Sequence, residues 1–206
     1  MGIFRQLALL VIKPACRMAF DGRYLKGRWF EGRDTGWKWA WRSLWQQKFG
    51  GRNRNVPWPV SENTVIAAPS RLEFHPDDLN NFQSFGQYYN NNNGGWIRIG
   101  RGSYIGPNVG IVTSNHTIYD LDEHDPPQDV TIGESCWIGM NAVILPGVTL
   151  GPHTVVAAGS VVGRSYPKGH VVLVGNPARV SMKLERHPDG VEPKVSQEML
   201  ADQAGE

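Results

Sequence analysis

Residues 132–163 read IGESCW IGMNAV ILPGVT LGPHTV VAAGSV VG, and the spacing of the aliphatic side chains in this stretch decides the fold. Ile132, Ile138, Ile144, Leu150, Val156 and Val162 stand six residues apart. A small residue follows at five of the six steps (Gly133, Gly139, Gly151, Ala157 and Gly163), and Leu145 is the exception. Four residues after the first five aliphatics come the mostly compact Cys136, Ala142, Val148, Thr154 and Ser160, and the series fails at Tyr166. A period of six fits neither the 3.6-residue repeat of a helix nor the two-residue alternation of a strand. It fits a parallel β-helix in which each hexad forms one flat face of a coil. The aliphatic fills the axis, and the glycine or alanine beside it leaves room at the corner. Cys136 falls on an inward position, so a buried structural thiol is expected there.

The same template continues upstream through Ile99-Gly100, Ile105-Gly106 and Ile111. Ile111 and Ile132 are 21 residues apart, three and a half hexads, which a regular coil cannot absorb. Residues 112–131 are therefore expected to leave the solenoid as a loop. They carry five acidic residues, two histidines and a Pro-Pro pair, a composition suited to exposure. Long insertions on a rigid scaffold tend to carry function, so the active site is expected in this loop. Residues 60–98, with weak hexads at Ile66 and Leu72, read as irregular first coils. The ladder misses at Lys168 and is back in phase at Val174. SQEMLADQ near the end reads as a short helix with Ser196 as N-cap. The expected division is 1–59, a basic aromatic segment; 60–185, the repeat domain; and 186–206, a tail with a helix.

The chain has 206 residues and a formal charge of +2, unevenly spread. Residues 1–54 hold twelve Lys/Arg against three Asp/Glu, and the remainder nine against sixteen. Two cysteines make no disulfide framework. The apolar stretch from Leu7 to Ile12 is too short to span a bilayer, which takes about 20 residues. Five of eight tryptophans fall between residues 29 and 45, interleaved with Arg and Lys. Two expectations stand side by side for this segment. It closes the end of the solenoid, as repeat proteins require, or it lies on an anionic membrane surface through its aromatic and basic side chains. Nucleic-acid binding by the same residues is the weaker expectation and is set aside.

The strings TSNH, IGESCWIGMNAVILPGV, VVAAGSVV and GNPARV, in this order, resemble the hexapeptide-repeat acyltransferases over residues 60–185, and within them the sugar and polysaccharide O-acetyltransferases such as the galactoside and maltose enzymes. The resemblance implies a mainly β fold with a left-handed parallel β-helix, a hand that the repeat alone would not give. It further implies a homotrimer with acetyl-CoA bound between subunits, no metal, and a sugar or glycan acceptor; the acetyl-CoA supply and the lack of an export signal make the cytoplasm the expected location. By resemblance His116 is the general base, a role suited to an imidazole at neutral pH. Asp120, Asp122, Glu123, Asp125 or a backbone carbonyl would orient it. The Met140 N–H corresponds to the oxyanion donor, with methionine where a small polar residue is usual. Asn115 and Trp137 fall at acceptor-side positions. Ala158, Gly163, Arg164 and Arg179 match coenzyme-binding positions, and Lys168 and Lys183 are added by charge. Gly163-Arg164 stands where Thr-Lys is common, so the charge is kept and the hydroxyl lost.

Three other functions compete with this one: acetylation of another small acceptor (an amino sugar, serine or a foreign hydroxyl), a non-catalytic scaffold, and a zinc hydratase. The last needs two histidines five residues apart. The histidines at 75, 116, 124, 153, 170 and 187 contain no such pair.

Overall fold

The computed structural model describes residues 3–184; the helix expected around Ser196 and the 186–206 tail lie outside the described residues. Fourteen short strands are arranged as three sheets that form the faces of a prism. Face one holds β1 (Val65–Ile66), β3 (Tyr88–Asn90), β6 (Gly110–Val112), β9 (Val143–Ile144) and β12 (Val161–Val162). Face two holds β2 (Leu72–Phe74), β4 (Ile97–Ile99), β7 (Val130–Ile132) and β10 (Thr149–Leu150). Face three holds β5 (Tyr104–Ile105), β8 (Trp137–Ile138), β11 (Thr154–Val156), β13 (Val171–Val174) and β14 (Arg179–Lys183). From β3 to β13 the chain visits the faces in rotation, with Tyr166 bridging to Leu150 at the last face-two step. All pairings are parallel except β13 with β14.

The hexad positions explain the coil. Ile132 pairs with Leu150, Ile138 with Val156 and Ile144 with Val162, so one turn of the coil is three hexads, one for each face. All six aliphatics are buried, as are Cys136, Ala142, Val148, Thr154 and Ser160 four residues later. Burial raises the thiol pKa of Cys136, and that of Cys16 to about 11, which keeps both as unreactive thiols at neutral pH. At the corners the backbones nearly touch. A Cβ on Gly139 would lie 2.6 Å from the Ala158 nitrogen and 2.8 Å from the Val156 oxygen. Two residues after the corner position (Gly133, Gly139, Leu145, Gly151 and Ala157) the chain adopts a left-handed conformation, filled by Ser135, Asn141, Gly147, His153 and Gly159. Gly and Asn tolerate that region most readily.

Across the insertion, Ile99 pairs with Ile132, Ile105 with Ile138 and Ile111 with Ile144. Each of these pairs is separated by more chain than one regular turn, and by the same excess. That excess is two and a half hexads, which is the excursion that the broken phase predicts. In the first coil a 3₁₀ segment, Pro76–Phe82, stands where a face-three strand would lie. Asn81 replaces the missing strand neighbour: its amide donates to the Ser103 carbonyl (2.8 Å) and accepts from the Ile105 N–H (3.0 Å).

The N-terminal segment packs on this coil. It comprises α1 (Ile3–Ala19), α2 (Thr35–Ser43) and a π-helical continuation, Leu44–Phe49. Cys16, Phe20, Trp37 and Trp58 belong to one hydrophobic cluster with Ile66, Leu72 and the axial aliphatics. Trp58 contacts Tyr24, Phe74 and Phe82 at ring-centroid distances of 5.0–5.5 Å. The buried Gln47 satisfies the break between helix and coil by accepting from the Val60 N–H and donating to the Trp58 and Asn53 carbonyls. At the other end, β14 folds back antiparallel over β13. No helix among the described residues is long and apolar enough to cross a membrane.

Candidate functional site

The excursion leaves face one after Val112 and returns to face two at Val130. Its root is fixed by the Gln128 N–H donating to the Thr113 carbonyl (2.8 Å) and the Thr113 hydroxyl donating to the Gly94 carbonyl (2.6 Å). Beyond the root its two arms run antiparallel. Asp125 N–H donates to the Asn115 carbonyl (2.9 Å), His116 bridges to His124, and Thr117 N–H donates to the Glu123 carbonyl (3.0 Å). Asp120 closes the tip, where its carbonyl accepts from the Thr117 hydroxyl and the Glu123 N–H, and its carboxylate accepts from the Asp122 N–H. These bonds preorganise an exposed arm without a core of its own.

His116 is held by this arm. Its Nδ1 lies 2.6 Å from the Leu121 carbonyl oxygen. A carbonyl can only accept, so Nδ1 carries the proton and Nε2 keeps its lone pair. The orienting group is thus a backbone carbonyl rather than one of the four nearby acids, none of which contacts the ring through its side chain among the described residues. The His124 ring packs against His116 with centroids 4.1 Å apart. Asn115 stands exposed beside it. At the tip, Ile118, Tyr119 and Leu121 project into solvent, Tyr119 at 95% exposure.

The other expected site residues do not gather around His116. They divide among the three edges of the prism. Met140 and Ala158 lie on the edge between faces three and one, stacked in successive coils, and Trp137 faces outward on β8 beside it. Arg179 joins this edge through its pairing with Val174. The Met140 N–H has no acceptor among the described residues. Gly163 and Arg164 lie on the edge between faces one and two, where Gly163 sits over Leu145 and the loop is rooted. Lys168 and Lys183 lie on the third edge, near the packed rings of His153 and His170, away from both other groups. Sequence spacing joins these residues as one set because it measures position along the ladder and not which corner a residue turns.

In comparison with known proteins, a family profile described as Bacterial transferase hexapeptide (six repeats) matches residues 129–164. The chain is 38% identical over 140 residues to the Putative acetyltransferase YJL218W of Saccharomyces cerevisiae, covering 64% of this chain and 68% of that one. It is 32% identical over 141 residues to the Putative colanic acid biosynthesis acetyltransferase WcaF of Escherichia coli, covering 68% and 73%. Among solved structures, a galactoside acetyltransferase in complex with coenzyme A superimposes with a TM-score of 0.49 at 22% identity, over 90% of this chain and 84% of that one.

Proposed function

The chain belongs to the hexapeptide-repeat acetyltransferases, enzymes built on a left-handed parallel β-helix, and from that premise we propose that it moves an acetyl group from acetyl-CoA to a hydroxyl of a sugar within a glycan or its lipid-linked precursor. The observation that carries the reading is His116 with its Nδ1 bonded to the Leu121 carbonyl, which leaves Nε2 as a base. Nε2 takes the proton of the acceptor hydroxyl as its oxygen attacks the thioester carbonyl. The Met140 N–H donates to the oxygen that gains charge, an interaction that contributes about 3 kcal/mol to such transition states. Collapse breaks the carbon–sulfur bond, and the imidazolium returns the proton to the departing thiolate. Asn115 and Trp137 border the acceptor, Ala158 and Gly163 pass the pantetheine arm, and Arg164 and Arg179 meet the phosphates. Lys168 and Lys183 have no part in this arrangement. The 60–185 region is the catalytic domain, and its use of acetyl-CoA suits a cytoplasmic enzyme.

His116 and Met140 occupy different edges of one prism, so a single chain does not bring them to one point. A homotrimer does, if the loop edge of each copy meets the Met140 edge of the next. Such head-to-tail contacts close into rings, and the apolar loop tip supplies surface to bury. Two inactive variants test this. Met140→Pro lacks the N–H, and His116→Ala lacks the base. Mixed and reassembled, they form some clefts carrying both wild-type residues, so acetyl-CoA-dependent thiol release with a sugar acceptor returns to a measurable fraction of wild type. Failure to complement, with mixed trimers verified by mass, rejects the shared cleft.

A specific observation favours a further partner. α1 turns Leu10, Val11 and Met18 outward, Met18 at 86% exposure, and Phe49 on the π-helical turn is 74% exposed. The segment that carries this apolar surface, residues 1–54, also carries twelve basic residues. We read it as a contact with the anionic inner face of a membrane. Flotation with vesicles containing anionic lipid is expected for the wild type and not for Leu10→Glu/Met18→Glu. Equal flotation of the two rejects the contact. Deletion of the segment is no substitute, because Cys16, Phe20 and Trp37 are core residues.

A further inference from the structure

Beside the root of the catalytic loop, where the N-terminal segment meets the first coil, the surface is hollowed into a cleft of about 440 Å³ lined in part by Tyr24, Asn55, Trp58, Ser70, Glu73 and Trp96. One wall is tied to the loop. Trp96 opens into β4, and its N–H donates to the carboxylate of Asp129 (2.8 Å), the last residue before the excursion rejoins face two. Asp129 also binds Arg98 (2.7 Å), whose guanidinium lies 5.2 Å from the centre of the Trp96 ring. The other wall comes from the N-terminal segment, where Tyr24 is stacked on Phe74 at 5.2 Å.

The lining carries unused hydrogen-bonding capacity. The Tyr24 hydroxyl, the Asn55 amide, the Ser70 hydroxyl and the Trp96 indole N–H have no partner among the described residues. Trp58, only 1% exposed, forms the floor of the cleft, with its indole N–H buried away from the opening. The charged side chains at the cleft are already paired: Glu73 and Asp129 share Arg98, and Arg23 binds Asp21. An anion finds no free cation there, and a lipid chain finds too many polar groups. Aromatic faces mixed with neutral donors and acceptors match the two sides of a sugar ring, one of C–H bonds and one of hydroxyls.

We propose that this cleft is a second acceptor subsite, which holds a neutral sugar unit of an oligo- or polysaccharide removed from the unit that receives the acetyl group. The inference rests on the glycan-acetylation reading above and extends it: the acceptor is a chain and not a free monosaccharide. The subsite uses Tyr24 and Asn55, which lie outside the repeat region, and so assigns a recognition role to the N-terminal segment.

The test compares acetyl transfer by the full chain to methyl galactoside, glucose and linear galacto-, malto- and cello-oligosaccharides of two to six units. For at least one series the wild type is expected to show KM falling tenfold or more with length. Trp96→Ala is expected to remove that gain while leaving kcat/KM for the monosaccharide within twofold. Should Trp96→Ala lose its folded circular-dichroism signature, the surface variant Asn55→Ala/Ser70→Ala replaces it with the same expectation. Transfer to monosaccharides with no gain in any series, or a gain that both variants retain, overturns the subsite. Thiol release with no sugar of any length overturns instead the underlying acetylation reading.

Discussion

Replacing His116 by alanine is expected to lower kcat for acetyl transfer by about 10²- to 10⁴-fold, the range a positioned general base supplies, with little change in KM for acetyl-CoA. The Leu121 carbonyl at 2.6 Å fixes both the tautomer and the plane of the ring, so the lone pair on Nε2 is available without a reorientation step. The neighbouring His124 cannot take over, because it lies on the opposite arm of the loop and serves as packing for the first ring. His124→Ala is therefore expected to be milder than His116→Ala, its effect arising through ring position. The check is steady-state thiol release for both variants across acceptor concentrations. If His116→Ala keeps wild-type kcat, the base lies elsewhere and the loop is only a structural arm.

Ile138→Ala is expected to be the most destabilising single truncation in the prism, at about 4 kcal/mol, in the upper part of the range for such core changes. Ile138 is fully buried on β8, between Ile105 of the coil before and Val156 of the coil after. Its neighbours are held in register by ladders on both sides, so the surrounding chain cannot collapse into the space left behind. The size of the loss follows from this rigidity. In a chain of this size each kcal/mol moves Tm by roughly 2–4 °C, so a loss of roughly 8–16 °C is anticipated by calorimetry. Trp137→Ala, one residue away but facing outward, should cost far less in stability. Equal losses at the two positions would contradict the inward–outward assignment.

The contrast between Ile138 and His116 also explains what could be read from the chain. Ile138 was legible because its burial repeats: the axial position must be aliphatic in every coil, so a fixed period appears in the sequence. The loop was legible as a gap in that period, three and a half hexads between Ile111 and Ile132 where only a whole number keeps phase. The left-handed position was not anticipated, although Asn141, Gly147 and Gly159 mark it, because Ser135 and His153 share it and dilute the signal. The partner of His116 could not be read, since the chosen acceptor is a backbone carbonyl and every residue has one. The cleft at the N-terminal segment was hidden for a different reason. Tyr24, Trp58 and Trp96 are widely separated along the chain and meet only through tertiary packing. The tryptophan-rich segment supported two expectations because aromatic and basic side chains serve a core and an interface equally well. Trp37 went to the core, while Trp45 and Phe49 stack on each other at the surface.

The reversed strand β14 has a consequence for what the molecule avoids. A parallel ladder has no natural end: its last coil offers the same unpaired N–H and C=O groups as every coil before it, a template on which another chain could add. Here the final rung on face three runs the wrong way to be copied, and the helices at the opposite end cover the first rung. The described repeat is thus bounded by a reversed strand at one end and by helices at the other, which interrupts the parallel template on which fibre-like stacking would build.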